Sequence, residues 1–372
     1  WSFNNLAAYQ TPRVAKIKDW RLGTLWYGGC FAIIMYVVVW AILLNKEYLE
    51  LQPPQGAVRT TGMSPRDVNS SYINPTPEEL DYCKVDGRDF VVGTLYPAFP
   101  CLYFDQDLAI YPIGEDSAIS LTTRLSNGTK ELVGNCTAYQ SDCPWEPTTE
   151  EKDNYIANIE EFTIMIEHSF SAPDVKISMV PSTDMPGKLV DLQDKVVKEF
   201  PEDTSDIVTL EEFLTAGGID SLDTESLVSK DRSLRDDGLV LLVFIEYSNT
   251  YTFSTSKLKY TMSVQPQRTK FKVEQPILQN QQEIIVWNRH GVKLIFLQTG
   301  LLGHFSFSVL LLTFISGVGL VAICSVLVDM LAVYIIPEKD LYYKYKYLES
   351  PEYQELRAKS YEQIDGDVSE VE

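Results

Sequence analysis

The chain has 372 residues, of which 45% are hydrophobic, and its 52 acidic and 31 basic side chains give a formal net charge of −21. This length exceeds that of one average domain, and so large an excess of acid argues against nucleic acid as a partner. The sequence has no phosphate-loop motif and no metal-spaced Cys and His cluster, and its histidines (His168, His290 and His304) have no evident catalytic partner. We therefore expect no enzyme, no catalytic residue, no metal site and no cofactor.

The first long uncharged segment runs from Leu25 to Leu44, and its 20 residues match a helix that crosses a hydrocarbon core of about 30 Å. A signal peptide is the alternative, but the apolar run is too long and no small-residue cleavage site follows it. Residues 1–24 contain one acid, Asp19, against four basic residues: Arg13, Lys16, Lys18 and Arg21. The positive-inside rule therefore places the N-terminus in the cytoplasm.

A second apolar segment has no Asp, Glu, Lys or Arg between Leu294 and Val328. We predict a spanning helix over residues 305–336 and a cytoplasmic tail over residues 337–372, whose lysines and tyrosines ("YYKYKY") anchor the chain at the lipid headgroups. Asp329 lies near the inner end of this helix. A carboxylate inside a span is costly and usually faces a partner or a water-filled path. One interpretation therefore pairs Asp329 with Lys339 or with a neighbour on the first helix.

The region between the spans, residues 45–304, has the features of an extracellular or lumenal domain. It contains three glycosylation acceptor patterns, at Asn69, Asn127 and Asn135, and four cysteines: Cys83, Cys101, Cys136 and Cys143. Four cysteines allow three disulfide connectivities, and the sequence does not choose between them. Cys30 and Cys324 lie in the predicted helices, where we expect ordinary apolar packing.

Short segments rich in β-branched and aromatic residues predict a domain made mainly of strands, at residues 118–125, 175–180, 239–248, 257–264, 269–273 and 283–287. One helix is predicted after Thr209, because Thr209 and Glu212 form a capping box and Gly217 follows the segment. Residues 181–237 are acidic, and we expect an irregular, solvated lobe there. The predicted fold class is a membrane protein with two spanning α-helices and a large β-rich, disulfide-bonded ectodomain.

Three segments together resemble the ionotropic purinergic receptors: "YQTPR" near the N-terminus, "MYVVVWAILLNKEYLE" in the first helix and "YYKYK" after the second. The family's cytoplasmic motifs fall on Tyr9, Thr11 and Arg13 and on Tyr342 and Lys346. The resemblance implies a homotrimeric, nonselective cation channel opened by extracellular ATP. Each subunit would contribute two helices and a β-rich ectodomain.

Residues 291–329 align with the family's last strand and second helix without a gap. The alignment implies that Leu312 and Ser316 narrow the closed pore, that Gly317 occupies a characteristic position, and that Asp329 contributes to a ring of three carboxylates that concentrates cations. Small residues on this helix also allow close helix packing. Packing against lipid is the alternative role for Leu312 and its neighbours.

The ligand site is where the sequence departs from the family pattern. The family holds triphosphate with a K-x-K pair, an arginine in N-F-R and a late lysine, because a polyanion needs several converging cations. Here Arg59 is the only remnant of the pair, N-F-R has become residues 252–254 ("TFS"), and Asn288 replaces the late lysine, with Arg289 beside it. In the alternative interpretation "NRHG" forms a turn between two strands.

The remaining candidates follow from the resemblance. Phe162 and Thr163 occupy the positions that contact adenine in the family, and Lys257 and Lys293 join Arg59 and Arg289 as candidate phosphate ligands. Each cation has an alternative role as a surface charge, and Phe162 an alternative role in the core, because "FTIMI" alternates like a half-buried strand. The excess of acid could instead attract Ca²⁺ or other cations to the vestibule.

The sequence as a whole favours an ATP-gated cation channel whose partners are the lipid bilayer, two further copies of the chain, the nucleotide, with or without a divalent cation, and permeating cations. Both termini are expected in the cytoplasm, with the chain in the plasma membrane or an intracellular vacuole membrane. One alternative is a family-like accessory subunit that has lost nucleotide gating. Another is an acid- or peptide-gated channel of the epithelial type, which would have a cysteine-rich ectodomain.

Overall fold

The structure is a computed structural model that describes residues 19–134, 136, 140, 142–252 and 255–346. The chain divides into two compact units, and we describe each by itself. One unit combines the two ends, Trp1–Leu49 and Phe305–Glu372, and the other is Glu50–His304. The predicted motif residues Tyr9, Thr11 and Arg13, the acceptor Asn135 and the tail beyond residue 346 lie outside the described residues.

Helix α1 (Trp20–Met35) continues without a break as a π-helix over Tyr36–Leu44. It begins at Trp20, before the predicted Leu25, because Asp19 caps it: the Asp19 side chain accepts a hydrogen bond of 2.9 Å from the Arg21 backbone N–H. The combined helix Trp20–Leu44 is long and apolar enough to cross a membrane.

The described part of the ectodomain unit is mainly β-structure. Its α-helices are, in chain order, α2 (Gln106–Ala109), the longer α3 (Leu210–Ala216) and α4 (Leu234–Asp237). The strands are, in chain order, β1 (Leu49–Gln52), β2 (Gln55–Met63), β3 (Cys101–Leu102), β4 (Ala118–Leu132), β5 (Trp145–Pro147), β6 (Lys152–Ile156), β7 (Thr163–Ala172), β8 (Ile177–Pro181), β9 (Gly187–Val190), β10 (Val196–Phe200), β11 (Asp206–Thr209), β12 (Leu239–Ser248), β13 (Lys259–Gln267), β14 (Lys272–Asn280) and β15 (Glu283–Phe305).

The strands form two sheets. The larger has the order β10-β9-β13-β12-β15-β4-β6-β3, with β1 and β14 beside β15 and β5 beside β4. The smaller has the order β11-β7-β2, with β8 beside β7. Alternate residues of β12 and β7 are buried, including Leu241, Val243 and Ile245 on β12 and Ile164 and Ile166 on β7, and they belong to one hydrophobic core.

Helix α3 confirms the predicted capping box. The Thr209 hydroxyl accepts from the Glu212 backbone N–H, and the Glu212 carboxylate accepts from the Thr209 backbone N–H. The helix ends at Ala216, and Gly217 and Gly218 follow.

The prediction of an irregular, solvated lobe over residues 181–237 is wrong. This segment contributes β9, β10, β11, α3 and α4, and its apolar residues are buried in the main core: Leu189, Phe200, Val208, Phe213 and Leu234. Its acidic residues are largely turned outward, so a high average charge coexists with a regular pattern of buried side chains. Composition alone concealed that pattern.

The alternative interpretation of "NRHG" as a turn is wrong, because residues 288–291 lie inside β15. They pair with β4 across an irregularity between His290 and Gly291, where the register shifts by one residue. The strand predicted over residues 269–273 begins only at Lys272 and continues to Asn280.

Both pairs of ectodomain cysteines form disulfides in the structure, Cys83–Cys101 and Cys136–Cys143. Of the two glycosylation candidates that the structure describes, Asn69 is exposed in a turn, whereas Asn127 is half-buried within β4, between β15 and β6.

Helix α5 (Phe307–Met330) continues as a π-helix over Leu331–Ile335, and α6 (Lys339–Lys346) follows Pro337. Phe307–Ile335 is also long and apolar enough to cross a membrane. Small residues bring the two apolar helices Trp20–Leu44 and Phe307–Ile335 together: a methyl group added to Gly317 would lie 3.0 Å from Val37, and one added to Gly29 would lie 2.5 Å from the Cys324 sulfur.

Candidate functional site

A cleft of about 930 Å³ opens beside the smaller sheet of the ectodomain. Its walls come from the middle of β2, from residues 106–119 and from the middle of β7, and residues 181–183 complete it. The lining combines apolar side chains with a polar group of hydroxyls and amides, which comprises Thr60, Thr61, Gln106, Ser182 and Thr183. A mixed lining of this kind suits an organic ligand with polar substituents.

Arg59 is the one arginine or lysine among the described residues that line this cleft. His168 also belongs to the lining, but its side chain is fully buried. Arg59 lies on β2 opposite Glu167 of β7, is exposed, and makes no ion pair within the described part of the chain. Four carboxylates line the same cleft: Asp107, Glu115, Asp116 and Glu167. One guanidinium among four carboxylates gives the cleft a net negative charge, so it does not resemble a pocket built for a bare polyanion.

Lys293 and Lys257, two of the other predicted cations, lie in contrasting settings. Lys293 on β15 forms an ion pair of 2.8 Å with Glu115, and both side chains are about three-quarters buried. Lys257 is exposed in the loop before β13. Lys293 therefore connects to the cleft through Glu115, which balances its charge.

Arg289 is held inside the ectodomain by its own chain. Its guanidinium donates to the Gln275 Oε1 atom (2.9 Å) and to the Leu108 carbonyl (2.6 Å). It also lies 5.0 Å from the centre of the Tyr111 ring. Burial lowers the pKa of Arg289 below its usual value, because the charged form loses hydration. The neighbouring Asn288 is buried too, and its amide donates to Glu151.

Phe162 lies in the hydrophobic core, which is the alternative that the alternating pattern offered. Thr163 begins β7, where it pairs with Met63 of β2 and with Thr209 of β11. It lies on the same sheet as Arg59. Along β7, Thr163 is four residues from Glu167, which pairs with Arg59, and four residues of a strand span about 13 Å. Within one subunit the structure therefore brings Arg59 and Thr163 onto one sheet and keeps Arg289 apart.

Leu312 and Ser316, the residues predicted to narrow the pore, lie on one face of α5. Leu312 and Ser316 are exposed in the single subunit, and the Ser316 hydroxyl donates to the Leu312 carbonyl at 2.9 Å. Residues four apart share a helix face. Gly317 is buried against Val37 of the first helix. The face with Leu312 and Ser316 is thus not covered by α1.

The end of this unit that holds Asp19 and α6 has two polar contacts that link helices. Asp329 of α5 pairs with Lys346 of α6 at 2.6 Å. The sequence offered Lys339 or a neighbour on the first helix as the partner, and both are corrected to Lys346. The Tyr342 hydroxyl donates to Asp19 at 2.7 Å. Asp19 is a residue that sequence reasoning did not select, although an Asp directly before an apolar helix is a recognisable cap signal.

A second group that the sequence did not reveal joins the two sheets of the ectodomain. The His168 ring lies 3.0 Å from Asp206 of β11 and 2.8 Å from the Tyr247 hydroxyl of β12. The His168 and Asp206 side chains are fully buried, so this Asp-His-Tyr line has no access to a substrate and serves to connect the sheets.

The chain is similar along most of its length to receptors of Dictyostelium discoideum. P2X receptor E is 38% identical over 356 residues, which cover 94% of this chain and 89% of the relative. P2X receptor A is 36% identical over 360 residues, which cover 93% and 91%. The chain belongs to the P2X receptor family. No protein-family model matches the chain.

A solved P2X receptor shares the fold. The crystal structure of a receptor from the Gulf Coast tick, in the presence of ATP and Zn²⁺, matches with a TM-score of 0.55 and 13% identity over 82% of this chain and 99% of that one. P2X receptors are the ionotropic purinergic receptors that the sequence motifs predicted, and they are ligand-gated channels. The predicted family, the two-helix fold class with a β-rich ectodomain and the non-enzymatic class are confirmed.

Proposed function

We propose that this protein is a nonselective cation channel that opens when ATP binds to its ectodomain. The observation that carries the proposal is the similarity to P2X receptors over more than nine-tenths of the chain. The two apolar helices at the ends of the chain supply the membrane part, and the β-rich unit supplies the ligand-binding part. ATP opens the pore if it binds the open state more tightly than the closed state.

The assembly in this proposal is a homotrimer in the plasma membrane or an intracellular vacuole membrane. Three copies of α5 line the pore, with Leu312 and Ser316 at the constriction and Asp329 at the inner mouth. The exposure of Leu312 and Ser316 in the single subunit supports this arrangement. Both termini, residues 1–24 and 337–372, lie in the cytoplasm, and residues 45–304 lie on the opposite side.

Arg59 is the cation that we assign to the phosphates. It is exposed at the cleft, whereas Arg289 is occupied by Gln275 and the Leu108 carbonyl, and Lys293 is occupied by Glu115. Thr163 on the same sheet and the exposed Lys257 complete the candidate set. Charge-assisted contacts with phosphate are strong, so one well-placed arginine contributes a large share of the binding.

The acidic surroundings of Arg59 favour a nucleotide that arrives with a divalent cation. The carboxylates that line the cleft repel a bare tetra-anion, whereas bound Mg²⁺ or Ca²⁺ reduces the negative charge of the ligand. We therefore assign the divalent complex of ATP as the agonist.

Cation flux into liposomes that contain the purified protein tests the proposal. ATP added to the ectodomain side should start the flux in the wild type. Arg59→Ala should raise the ATP concentration for half-maximal flux by about tenfold or more, because a hydrogen bond to a charged group contributes about 1.5–3 kcal/mol.

The matched control is Arg268→Ala, which removes an exposed arginine from the loop after β13. Its concentration dependence should equal that of the wild type. If millimolar ATP starts no flux in the wild type, the accessory-subunit alternative is favoured. If Arg59→Ala and Arg268→Ala behave alike, Arg59 does not bind the phosphates.

A further inference from the structure

The helix that follows the second span folds back on the end of that span. Asp329 and Lys346 are 17 residues apart in the sequence. In one straight helix, 17 residues would separate them by about 25 Å. Their side-chain atoms are 2.6 Å apart, so the chain reverses between them. The reversal occurs at Ile336 and Pro337, where Ile336 is extended, because a residue before proline disfavours the helical conformation.

Tyr342 attaches the returning helix α6 to the first span. Its hydroxyl donates to the Asp19 Oδ2 atom at 2.7 Å, while the Asp19 Oδ1 atom accepts from the Arg21 backbone N–H and caps α1. The Tyr342 ring packs against a small cluster of buried apolar residues formed by Leu22, Val328 and Ala332. The hydrogen bond from Tyr342 lowers the pKa of Asp19, which therefore stays ionised as the cap.

The other end of α6 carries the countercharge. Lys346 lies one helical turn beyond Tyr342, so the two side chains leave the same face of α6. One reaches the first span at Asp19 and the other reaches the second span at Asp329. The described part of α6 thus contacts both spans of its own subunit through two polar contacts.

We propose that Lys346 is a selectivity-determining residue: it neutralises Asp329 at the inner mouth of the pore, and the Tyr342–Asp19 hydrogen bond holds it there. This inference rests on the proposed channel function. The positive charge of Lys346 offsets most of the electric field that the Asp329 carboxylate would exert in the pore. Three subunits would therefore present three balanced ion pairs rather than three unpaired carboxylates. Removing the lysine charge would expose the carboxylates and favour divalent over monovalent cations.

The principal test compares the reversal potentials of ATP-opened channels with Ca²⁺ on one side and Na⁺ on the other. Lys346→Gln should raise the permeability of Ca²⁺ relative to Na⁺ about two- to threefold. A permeating charge about 7 Å from an unpaired carboxylate in water gains about RT of interaction energy, and Ca²⁺ has one unit charge more than Na⁺. Lys346→Arg keeps the charge and should match the wild type. Lys344→Gln removes an exposed lysine from the same helix and should also match the wild type.

The effect must depend on the carboxylate. In channels that already carry Asp329→Asn, adding Lys346→Gln should change the permeability ratio no further. Tyr342→Phe should shift the ratio in the same direction as Lys346→Gln, and Asp19→Asn should do the same. An equal shift from Lys344→Gln, or a shift from Lys346→Gln that persists with Asn at position 329, would overturn the proposal.

A cross-linking readout separates this inference from the proposed function. With Cys30 and Cys324 replaced by Ala, a short bifunctional thiol reagent should link the pair Asp329→Cys and Lys346→Cys within one chain, detected as a linked peptide by mass spectrometry. A reagent is used in place of a direct disulfide because the lysine side chain spans part of the separation between the two backbones. The pair Asp329→Cys and Lys344→Cys should link more slowly. Equal linking in both pairs would overturn the proposed contact between Asp329 and Lys346. Specific linking without ATP-opened current would refute the proposed channel function and leave that contact supported.

Discussion

Arg235 shows how single residues hold the ectodomain together. Its side chain is 1% exposed, and it donates to Asp223 at 2.7 Å and to Glu160. The guanidinium also lies 3.5 Å from the centre of the Tyr82 ring. These partners come from three distant parts of the chain. A buried charge is stable only with such partners, because it has left water.

We predict that Arg235→Met lowers the free energy of unfolding by about 3–5 kcal/mol, because it leaves Asp223 and Glu160 without their buried countercharge. The measurement is the midpoint of thermal unfolding in detergent, followed by circular dichroism of the β-structure. Arg232→Met is the control, since Arg232 is about half exposed and its contact with Asp237 is long, at 3.9 Å. Equal midpoints for the two variants would contradict the role of Arg235.

His290 makes the stability of the ectodomain depend on pH. Burial lowers its pKa from 6.5 to about 4, with Arg124 nearby adding to the effect, so the folded protein holds the ring neutral. The unfolded chain binds the proton more readily. The contribution of the neutral His290 ring to the free energy of unfolding is therefore fully present above pH 6.5. It is lost as the pH falls toward 4, by up to about 3 kcal/mol.

We expect His290→Gln to flatten this pH dependence. Glutamine has a polar side chain that can donate a hydrogen bond, and it does not titrate. Unfolding midpoints recorded between pH 7 and pH 4 should fall less in this variant than in the wild type. Parallel curves for the two proteins would rule out His290 as the source.

At the residue scale, the sequence predicted some residues of the candidate sites but not their partners. The family motif selected Lys346 and Tyr342. The pairing of Lys346 with Asp329 is a tertiary contact that depends on the chain reversal at Pro337, whereas proximity along the chain favoured Lys339. Arg289 was correctly noted beside Asn288, but its burial depends on Gln275 and Leu108, which are distant in sequence.

Among the elements, β15 and β4 approach unusually closely at one point. A methyl group added to Gly291 would lie 1.9 Å from the Leu121 carbonyl oxygen, next to the irregularity in the pairing of the two strands. Only glycine permits this approach, because any side chain would push the strands apart.

Gly291→Ala should therefore destabilise the larger sheet by about 1–3 kcal/mol or more, the cost of forcing extra atoms into a packed region. The control is Gly128→Ala on β4, where the added methyl would meet the Glu151 side chain at 3.3 Å. Unfolding midpoints of the two variants should differ clearly, and a Gly291→Ala midpoint at the wild-type value would contradict the steric argument.

Element predictions succeeded where a local pattern is strong. The capping box at Thr209 and Glu212 depends on four consecutive residues, and the β12 run of β-branched and aromatic side chains is continuous. They failed over residues 181–237, where the acidic composition hides a regular pattern of buried side chains. The turn offered as an alternative for Asn288 to Gly291 is excluded by pairing, because strands on both sides hold these residues extended within β15.

At the scale of the whole molecule, hydropathy and charge predicted both spans, since a membrane imposes its thickness directly on the sequence. The resemblance supplied the family. The smaller sheet and the cleft beside it were not predicted, because they depend on β2, β7 and residues 106–119 meeting from separate parts of the chain.

The detergent-solubilised protein should be a trimer. One chain has a mass of 42.2 kDa, so three copies have a protein mass of about 127 kDa. Mass photometry or light scattering, with the detergent contribution subtracted, checks this value. A particle of one or two chains would contradict the pore arrangement, in which three copies of α5 surround one aqueous path.

Each span contains a π-helical stretch, Tyr36–Leu44 in the first and Leu331–Ile335 in the second. Such stretches are rare and use i to i+5 hydrogen bonds, so they wind more widely than the α-helix that precedes them. If such a stretch changed from the π-helical to the α-helical form, all side chains that follow it in the same helix would rotate about the helix axis. A rotation of this kind needs no hinge, and the backbone is hydrogen-bonded within the helix in both forms, as a bilayer requires.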